Sequence, residues 1–377
     1  MSGRPALAIS LLVLLLAGCA AKGVEPSPLP EFTPTVGARV AWKASAGISG
    51  GFMFTPVVFG NMVCAASGKG RLTCYEGDRG KRLWSSQPGV TVSGGVGTGE
   101  NMVLVGTNKA EVLAYGTNGV LLWRARVSSE VLSAPVGSGS IVVVRTGDSK
   151  VFALDARDGR RLWEYEAPAQ PLVLRANPSM VITDDGNVIG GFPGGRLTKL
   201  NTRDGSLLWD IQIATPRGDN ELERMVDVAG TPLLQDGYVC AVAFQGRIGC
   251  FDTQKGEQIW ARSASSAGGI VADPRNVYFT EADGAVVAYD KGSGASVWRQ
   301  DKLLHRRVTA PVVVGDWLVV GDYQGYVHVL SREDGAFVAR MATDGSAIVT
   351  APVSQQGRAV VQTETGGLYV VAFKRPS

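Results

Sequence analysis

Histidine is almost absent from this chain. Its 377 residues include two, His305 and His328, so neither a nucleophile–histidine–carboxylate set nor a histidine–carboxylate metal spacing can be assembled. His328 lies in the alternating stretch Gly325-Tyr326-Val327-His328-Val329 and reads as a packed or rim residue. His305, in Lys302-Leu303-Leu304-His305-Arg306-Arg307, reads as a hydrogen-bonding residue of a connection. Charge is scarce too. Only 19% of residues are charged and the net charge is +3, too small and too dispersed for nucleic acid, with no basic stripe. The 49 glycines are spread as turn punctuation and form no phosphate loop ahead of a helix. The apolar run Ala8–Leu16 is too short to cross a membrane as a stable helix. These absences leave a non-catalytic globular chain, 45% hydrophobic, with no cofactor or metal expected.

What is present in abundance is a repeat. An acidic or polar residue, Gly and Trp recur at four-residue intervals: Glu76-Gly80-Trp84, Asp155-Gly159-Trp163, Asn201-Gly205-Trp209, Asp252-Gly256-Trp260 and Asp290-Gly294-Trp298. Tyr115 leads a variant with Gly119 and Trp123, and a degenerate copy, Ser331-Gly335-Ala339, lacks the Trp. A period near 40 residues in strand-rich sequence predicts an all-β, eight-bladed β-propeller of four-stranded antiparallel blades. Each copy carries a Pro- or Gly-led apolar run, a second run, an alternating third, and a turn into a fourth strand bearing the Trp. The turn glycine is expected at positive φ, and the tryptophan is expected to bury its ring against the neighbouring blade. Trp42 precedes the first full copy, and the last copy ends near Phe373 before any fourth strand of its own. The N-terminal strand is therefore expected to complete the last blade and close the ring, which removes two free edges; an open solenoid is the alternative. Trp42, Trp84, Trp123, Trp163, Trp209, Trp260 and Trp298 are the blade-docking residues of this scheme.

At the N-terminus, Arg4, the short apolar run and small residues make a secretory leader. Its ending, Leu16-Ala17-Gly18-Cys19, resembles a bacterial lipobox, which implies lipidation of Cys19 and anchoring by acyl chains alone. Ala20 after Cys19 implies, by resemblance to lipoprotein sorting, the outer membrane. The expected domains are a lipoprotein signal peptide over 1–18, a Pro-rich extended tether over 19–36 and the propeller over 37–375. The other cysteines form two pairs ten residues apart, Cys64/Cys74 and Cys240/Cys250, at equivalent second- and third-strand positions. In an exported chain, cross-strand disulfides are favoured over buried free thiols.

The spacings also select a surface. Pro56–Gly80, Pro135–Gly159, Pro232–Gly256 and Pro311–Gly335 are each 24 residues apart, whereas Pro178–Gly205 is 27, with the excess near Phe192-Pro193-Gly194-Gly195. The longest inter-blade connections, Asp210 to Thr231 and Glu164 to Asn177, flank that same blade. In a four-stranded blade the second-to-third hairpin and the connection to the next blade share a rim, so all three departures are expected on one rim. Long connections on a rigid scaffold are where binding tends to sit.

The Gly-x3-Trp pattern resembles the quinoprotein alcohol dehydrogenases, but the adjacent-cysteine disulfide of those enzymes has no counterpart here, so the scaffold carries over and the chemistry does not. Asp301-Lys302-Leu303-Leu304-His305-Arg306, Thr309-Ala310-Pro311-Val312, Val320-Gly321-Asp322 through Gly335-Ala336-Phe337-Val338-Ala339, and Glu221-Leu222-Glu223-Arg224-Met225-Val226-Asp227-Val228 resemble the BamB family of the outer-membrane β-barrel assembly machine, over the whole mature chain. That resemblance implies a lipid-anchored scaffold at the periplasmic face of the outer membrane. It would dock the periplasmic repeats of BamA and aid insertion of outer-membrane proteins, with unfolded clients as a further partner class. The implied contact positions are Leu172, Leu174, Arg175 and Asp227; the family's second acid falls on Ala229. In an extended segment Leu172 and Leu174 would share one face, with Arg175 free to pair with a carboxylate such as Asp227, unless the leucines merely cover the blade below. A quinone- or sugar-binding redox or sensor propeller is the competing reading, disfavoured because no convergent polar groups can be assigned along the axis.

Overall fold

A computed structural model describes residues 24–174 and 178–375. They form eight four-stranded antiparallel sheets. Blades 1 to 7 span 57–86, 92–126, 136–166, 181–212, 233–264, 271–300 and 312–342. Blade 8 takes Val353–Gln355, Arg358–Gln362 and Gly367–Lys374 from the C-terminus and its outer strand, Gly37–Ser45, from the N-terminus. The two ends pair antiparallel from Gly37↔Lys374 to Ser45↔Gly367, closing the ring.

The core is distributed. Eight buried apolar clusters lie one at each seam between neighbouring blades, because each sheet is apolar on both faces and must be covered twice. The tryptophans nail the seams from the outer strand. Each indole Nε1 donates to a backbone oxygen of the next blade's turn: Trp42 to Gly77, Trp84 to Thr117, Trp123 to Ala156, Trp163 to Thr202, Trp209 to Thr253, Trp260 to Lys291 and Trp298 to Arg332. The turn glycine of that next blade sits at positive φ beneath the ring, as at Gly80 (φ 68°) under Trp42.

The fourth strand carries a device that periodicity alone does not reveal. In every blade the pairing of third and fourth strands slips by one residue next to the tryptophan position, as between Val40 and Trp42, or where Cys74 pairs with Trp84 but Tyr75 with Arg82. Such a bulge re-aims the following side chain and tightens the twist. The bulged Leu83, Leu122, Leu162, Leu208, Ile259 and Val297 are left exposed on the circumference.

Blade 7 carries Ala339 in place of Trp, and the fold shows why. The third and fourth strands of the next blade come from opposite ends of the sequence, so among the described residues no Gly turn joins them to accept an eighth indole. That seam is filled by Val36, Ile348 and Phe373 packed around Ala339, with Phe373 against Trp317 at 5.8 Å between ring centroids.

Disulfides join Cys64 to Cys74 and Cys240 to Cys250, directly opposite one another across the second and third strands of blades 1 and 5. The segment expected as a tether behaves differently from a free linker. From Ser27 to Val36 it lies on blade 7, held by backbone bonds from Ser27 N to Leu304 O and from Thr35 N and Val36 N to Val338 O. Cys19 lies outside the described residues.

Candidate rim site around blade 4

Three irregular segments meet on one rim. The hairpin between the second and third strands of blade 4 turns at Gly194 and Gly195, both at positive φ. The long connection after Trp209 folds back across it, forming an isolated antiparallel bridge between Pro193 and Asp227 and a bond from Val228 N to Phe192 O. The third segment, before blade 4, is drawn in by a side chain. Asp227 Oδ2 accepts the Leu174 N–H at 2.6 Å, and Oδ1 accepts the Gly194 N–H at 3.1 Å. Phe244 of the next blade donates its N–H to the Asp227 carbonyl at 2.8 Å. One aspartate thus ties together both connections and the hairpin they flank.

Asp227 is 4% exposed. Its carboxylate is engaged inside the chain: both oxygens are bonded to backbone N–H donors, an arrangement that positions loops. A buried charge needs such partners. Arg145 supplies an opposite charge. Its Nη1 donates to Gly191 O at 2.7 Å and its guanidinium lies over the Phe192 ring. Burial pulls the Arg145 pKa down to about 10, opposed by the nearby Asp227 charge. Ala229 is buried, where a second carboxylate would require further donors.

What Asp227 holds in place is apolar and outward-facing. Leu172 is 43% and Val173 40% exposed, while Leu174 is half-buried and, with Val173, Pro193 and Arg145, lines a cleft of about 330 Å³. The segment is not a regular strand, and Val173 is exposed beside Leu172 while Leu174 is partly covered. Arg175 lies outside the described residues. Leu222, at the tip of the long connection, is 63% exposed. It sits on a turn closed by reciprocal bonds between Asn220 and Glu223, 2.7 Å from Asn220 Nδ2 to Glu223 Oε1 and 2.9 Å from Glu223 N to Asn220 Oδ1. Val173 and Leu222 were not singled out by sequence reasoning, since a lone exposed aliphatic in a loop has no periodic signature.

His328 is fully buried with Nε2 3.1 Å from Asp322 Oδ2, and His305 is exposed in a connection at positive φ. A cleft of about 1280 Å³ beside blades 6 and 7 is lined in part by charges that pair within the chain. Arg332 bonds Asp273 at 3.0 Å and approaches Asp316, which also pairs with Arg375. Among the described residues, no group of three His, Cys, Asp or Glu side chains is placed to hold a metal ion, and no helix is long and apolar enough to cross a membrane.

The family model described as outer membrane protein assembly factor BamB matches residues 78–300 and 282–375. The curated BamB of Burkholderia pseudomallei is 40% identical over 366 residues, 96% of each chain. That of Escherichia coli is 32% identical over 384 residues, covering 96% of this chain and 97% of its own. Among solved structures, BamB from Moraxella catarrhalis superposes with a TM-score of 0.83 at 25% identity, over 89% of this chain and 99% of that one. A quinohemoprotein alcohol dehydrogenase from Comamonas testosteroni shares the fold alone, with a TM-score of 0.71 at 14% identity over 90% of this chain and 76% of its own.

Proposed function

The chain belongs to the family of the outer membrane protein assembly factor BamB, and from that premise we propose that it is a non-enzymatic lipoprotein scaffold of the barrel-assembly machine. In this reading acyl chains on Cys19 hold the protein at the periplasmic face of the outer membrane, and the rim around blade 4 docks the periplasmic repeats of BamA. Leu172, Leu174 and Arg175 make the contacts. Asp227 acts through them, by holding the segment that presents them.

The observation that carries this reading is the tie from Asp227 to Leu174 N and Gly194 N. It pre-orders an exposed aliphatic pair, Leu172 and Val173, on an irregular segment that would otherwise lose conformational freedom on binding. Exposed aliphatics on a pre-ordered loop beside a cleft suit an apolar anchor surrounded by polar contacts. The unpaired backbone of residues 171–173 is open to pairing with an edge strand of the partner. As a scaffold the protein contributes geometry: it keeps the BamA repeats in an arrangement that favours insertion of outer-membrane proteins.

The test is a pull-down from membranes. Recovery of BamA with the unchanged chain, lost with Leu172→Glu while thermal unfolding is unaltered, is the expected result. Undiminished recovery with Leu172→Glu, or a retained small ligand with no partner protein, would overturn it.

A further inference from the structure

The N-terminal segment from Ser27 to Val36 reaches blade 7 from the rim that carries the blade 4 loops. Ser27 is bonded there in both directions: its N–H donates to Leu304 O at 3.0 Å, and its carbonyl accepts from Arg306 Nη1 at 3.0 Å. Leu304 and Arg306 belong to the connection between blades 6 and 7. The Arg306 carbonyl accepts the N–H of Tyr323, in the second-to-third hairpin of blade 7. By the same topology that places the blade 4 loops, this is their rim. The chain then descends the outer strand of blade 7. Arg340 Nη1 donates to Pro30 O at 3.0 Å and its guanidinium stacks on Phe32, whose ring lies 5.5 Å from Phe337. Thr35 and Val36 donate to the carbonyl of Val338, the residue at the bulge of that strand. Blade 7 therefore has its outer edge covered by the chain itself.

The arginines on which the segment hangs are fixed in place. Arg306 is buried, and its Nε and Nη2 both bond Asp322 Oδ2, at 2.9 and 2.7 Å. Arg306 also bonds Gln324. Asp322 in turn holds His328 and accepts the N–H groups of Gln324 and Tyr326 at 2.9 and 3.0 Å. A buried guanidinium with this many fixed partners presents its remaining donor in one direction. Lifting the segment away would leave that donor without the Ser27 carbonyl, at a cost in desolvation.

We propose that residues 27–36 are a strap that aims the membrane anchor off the rim bearing Leu172 and Asp227, so that the ring is suspended with that rim toward the bilayer. The inference rests on the reading of Cys19 as the lipidated residue. Eight residue steps separate Cys19 from Ser27, a span of at most about 28 Å. A free linker running to Gly37 would add ten more steps and allow either edge to face the lipid. The anchor would thus leave the ring on the same side as the docked polypeptide, and the strap makes the two attachments geometrically dependent.

The experiment uses the full acylated chain in phosphatidylethanolamine/phosphatidylglycerol vesicles carrying an acceptor dye on lipid headgroups. With the four core cysteines bonded and Cys19 acylated, a donor dye goes only to an introduced thiol. Lys69→Cys lies on the rim hairpin of blade 1, and Glu333→Cys on the opposite edge of blade 7; both positions are exposed. The edges are separated by roughly 20 Å, the length of a six-residue strand. Energy transfer at least two-fold more efficient from Lys69→Cys is expected, with the difference abolished by Phe32→Asp, which alters the strap and not the ring. Amide exchange at Ser27 and Thr35 should be slowed more than ten-fold, and Phe32→Asp should release it at Ser27 without moving the unfolding transition of the propeller. Equal transfer from the two sites in the unaltered chain, or unprotected amides, would overturn the strap. Absence of acyl chains on Cys19 by mass spectrometry would remove the anchor reading and the suspension together, while slowed exchange would then still locate the strap on blade 7.

Discussion

Trp42 lies on Gly80, and that contact joins the last blade to the first. The indole Nε1 donates to Gly77 O at 2.7 Å, and a Cβ added at Gly80 would sit 2.6 Å from Trp42 Cδ2. Glycine is required there twice, by its φ of 68° and by the ring above it. Gly80→Ala should therefore destabilise the protein by about 2–4 kcal/mol, combining strain and overpacking. Gly139 has a similar φ of 56° but nothing within 4 Å of its added Cβ, so Gly139→Ala should cost only about 1 kcal/mol. Urea unfolding of the two variants checks the difference.

Ala339 is expected to resist restoration of the repeat. It is buried, and the neighbouring blade has strand ends where an acceptor turn would be. Ala339→Trp should destabilise by about 1–3 kcal/mol through overpacking, although it completes the sequence pattern. A rise in the unfolding midpoint would contradict this account of the missing tryptophan.

Asp227→Ala would leave the Leu174 and Gly194 N–H groups without their acceptors, at about 1–3 kcal/mol for each buried donor left unpaired. Because the groups are local to the rim, the expected signature is faster amide exchange over 171–174 and 192–195 with the blade strands still protected. Exchange unchanged at Leu174 would show that the carboxylate does not hold the segment.

Acid should weaken the ring through the cluster under the strap. Burial lowers the His328 pKa below its usual 6.5, against the raising effect of its bond to Asp322. Burial pushes the Asp322 pKa up, but its bonds to His328, Tyr326 and Arg306 together hold it below the usual 3.8. A folded-state pKa lower than the unfolded one means that the unfolded chain binds more protons, so stability falls as pH falls. The His328 contribution should be lost first, on descending from about pH 6.5 toward its folded value, and the Asp322 contribution below about pH 3.8. Unfolding measured from pH 7 to 5 should show a declining midpoint, and His328→Gln, which keeps a donor toward Asp322, should flatten it.

Each disulfide closes a short loop, ten residues apart in sequence. Replacing both members of one pair by Ala should cost about 2–3 kcal/mol. The four sulfurs belong to nearly inaccessible residues, so reductant should act only on the unfolded chain. A native protein that loses either bond rapidly under mild reductant would argue against this placement.

The architecture was legible because it repeats. Seven tryptophans, the glycines ahead of six of them and the 24-residue spacing shared by four blades dictate four-stranded units that must cover one another, and Val40-Ala41-Trp42 without earlier strands leaves one site for itself, the edge of the last blade. The excess residues at 192–195 and around 164–177 and 210–231 likewise place three loops on one rim, since strand direction alone decides which edge a connection occupies. Chain order could not tell which side chain ties those loops. That Asp227 turns inward to Leu174 N and Gly194 N, and that Pro30 and Phe32 lie on Arg340 and Phe337, depend on segments 33 to 310 residues apart meeting. Periodic burial is a property of one strand and can be read along it, whereas the destination of a carboxylate or a proline-rich segment is settled only when distant donors arrive within about 3 Å.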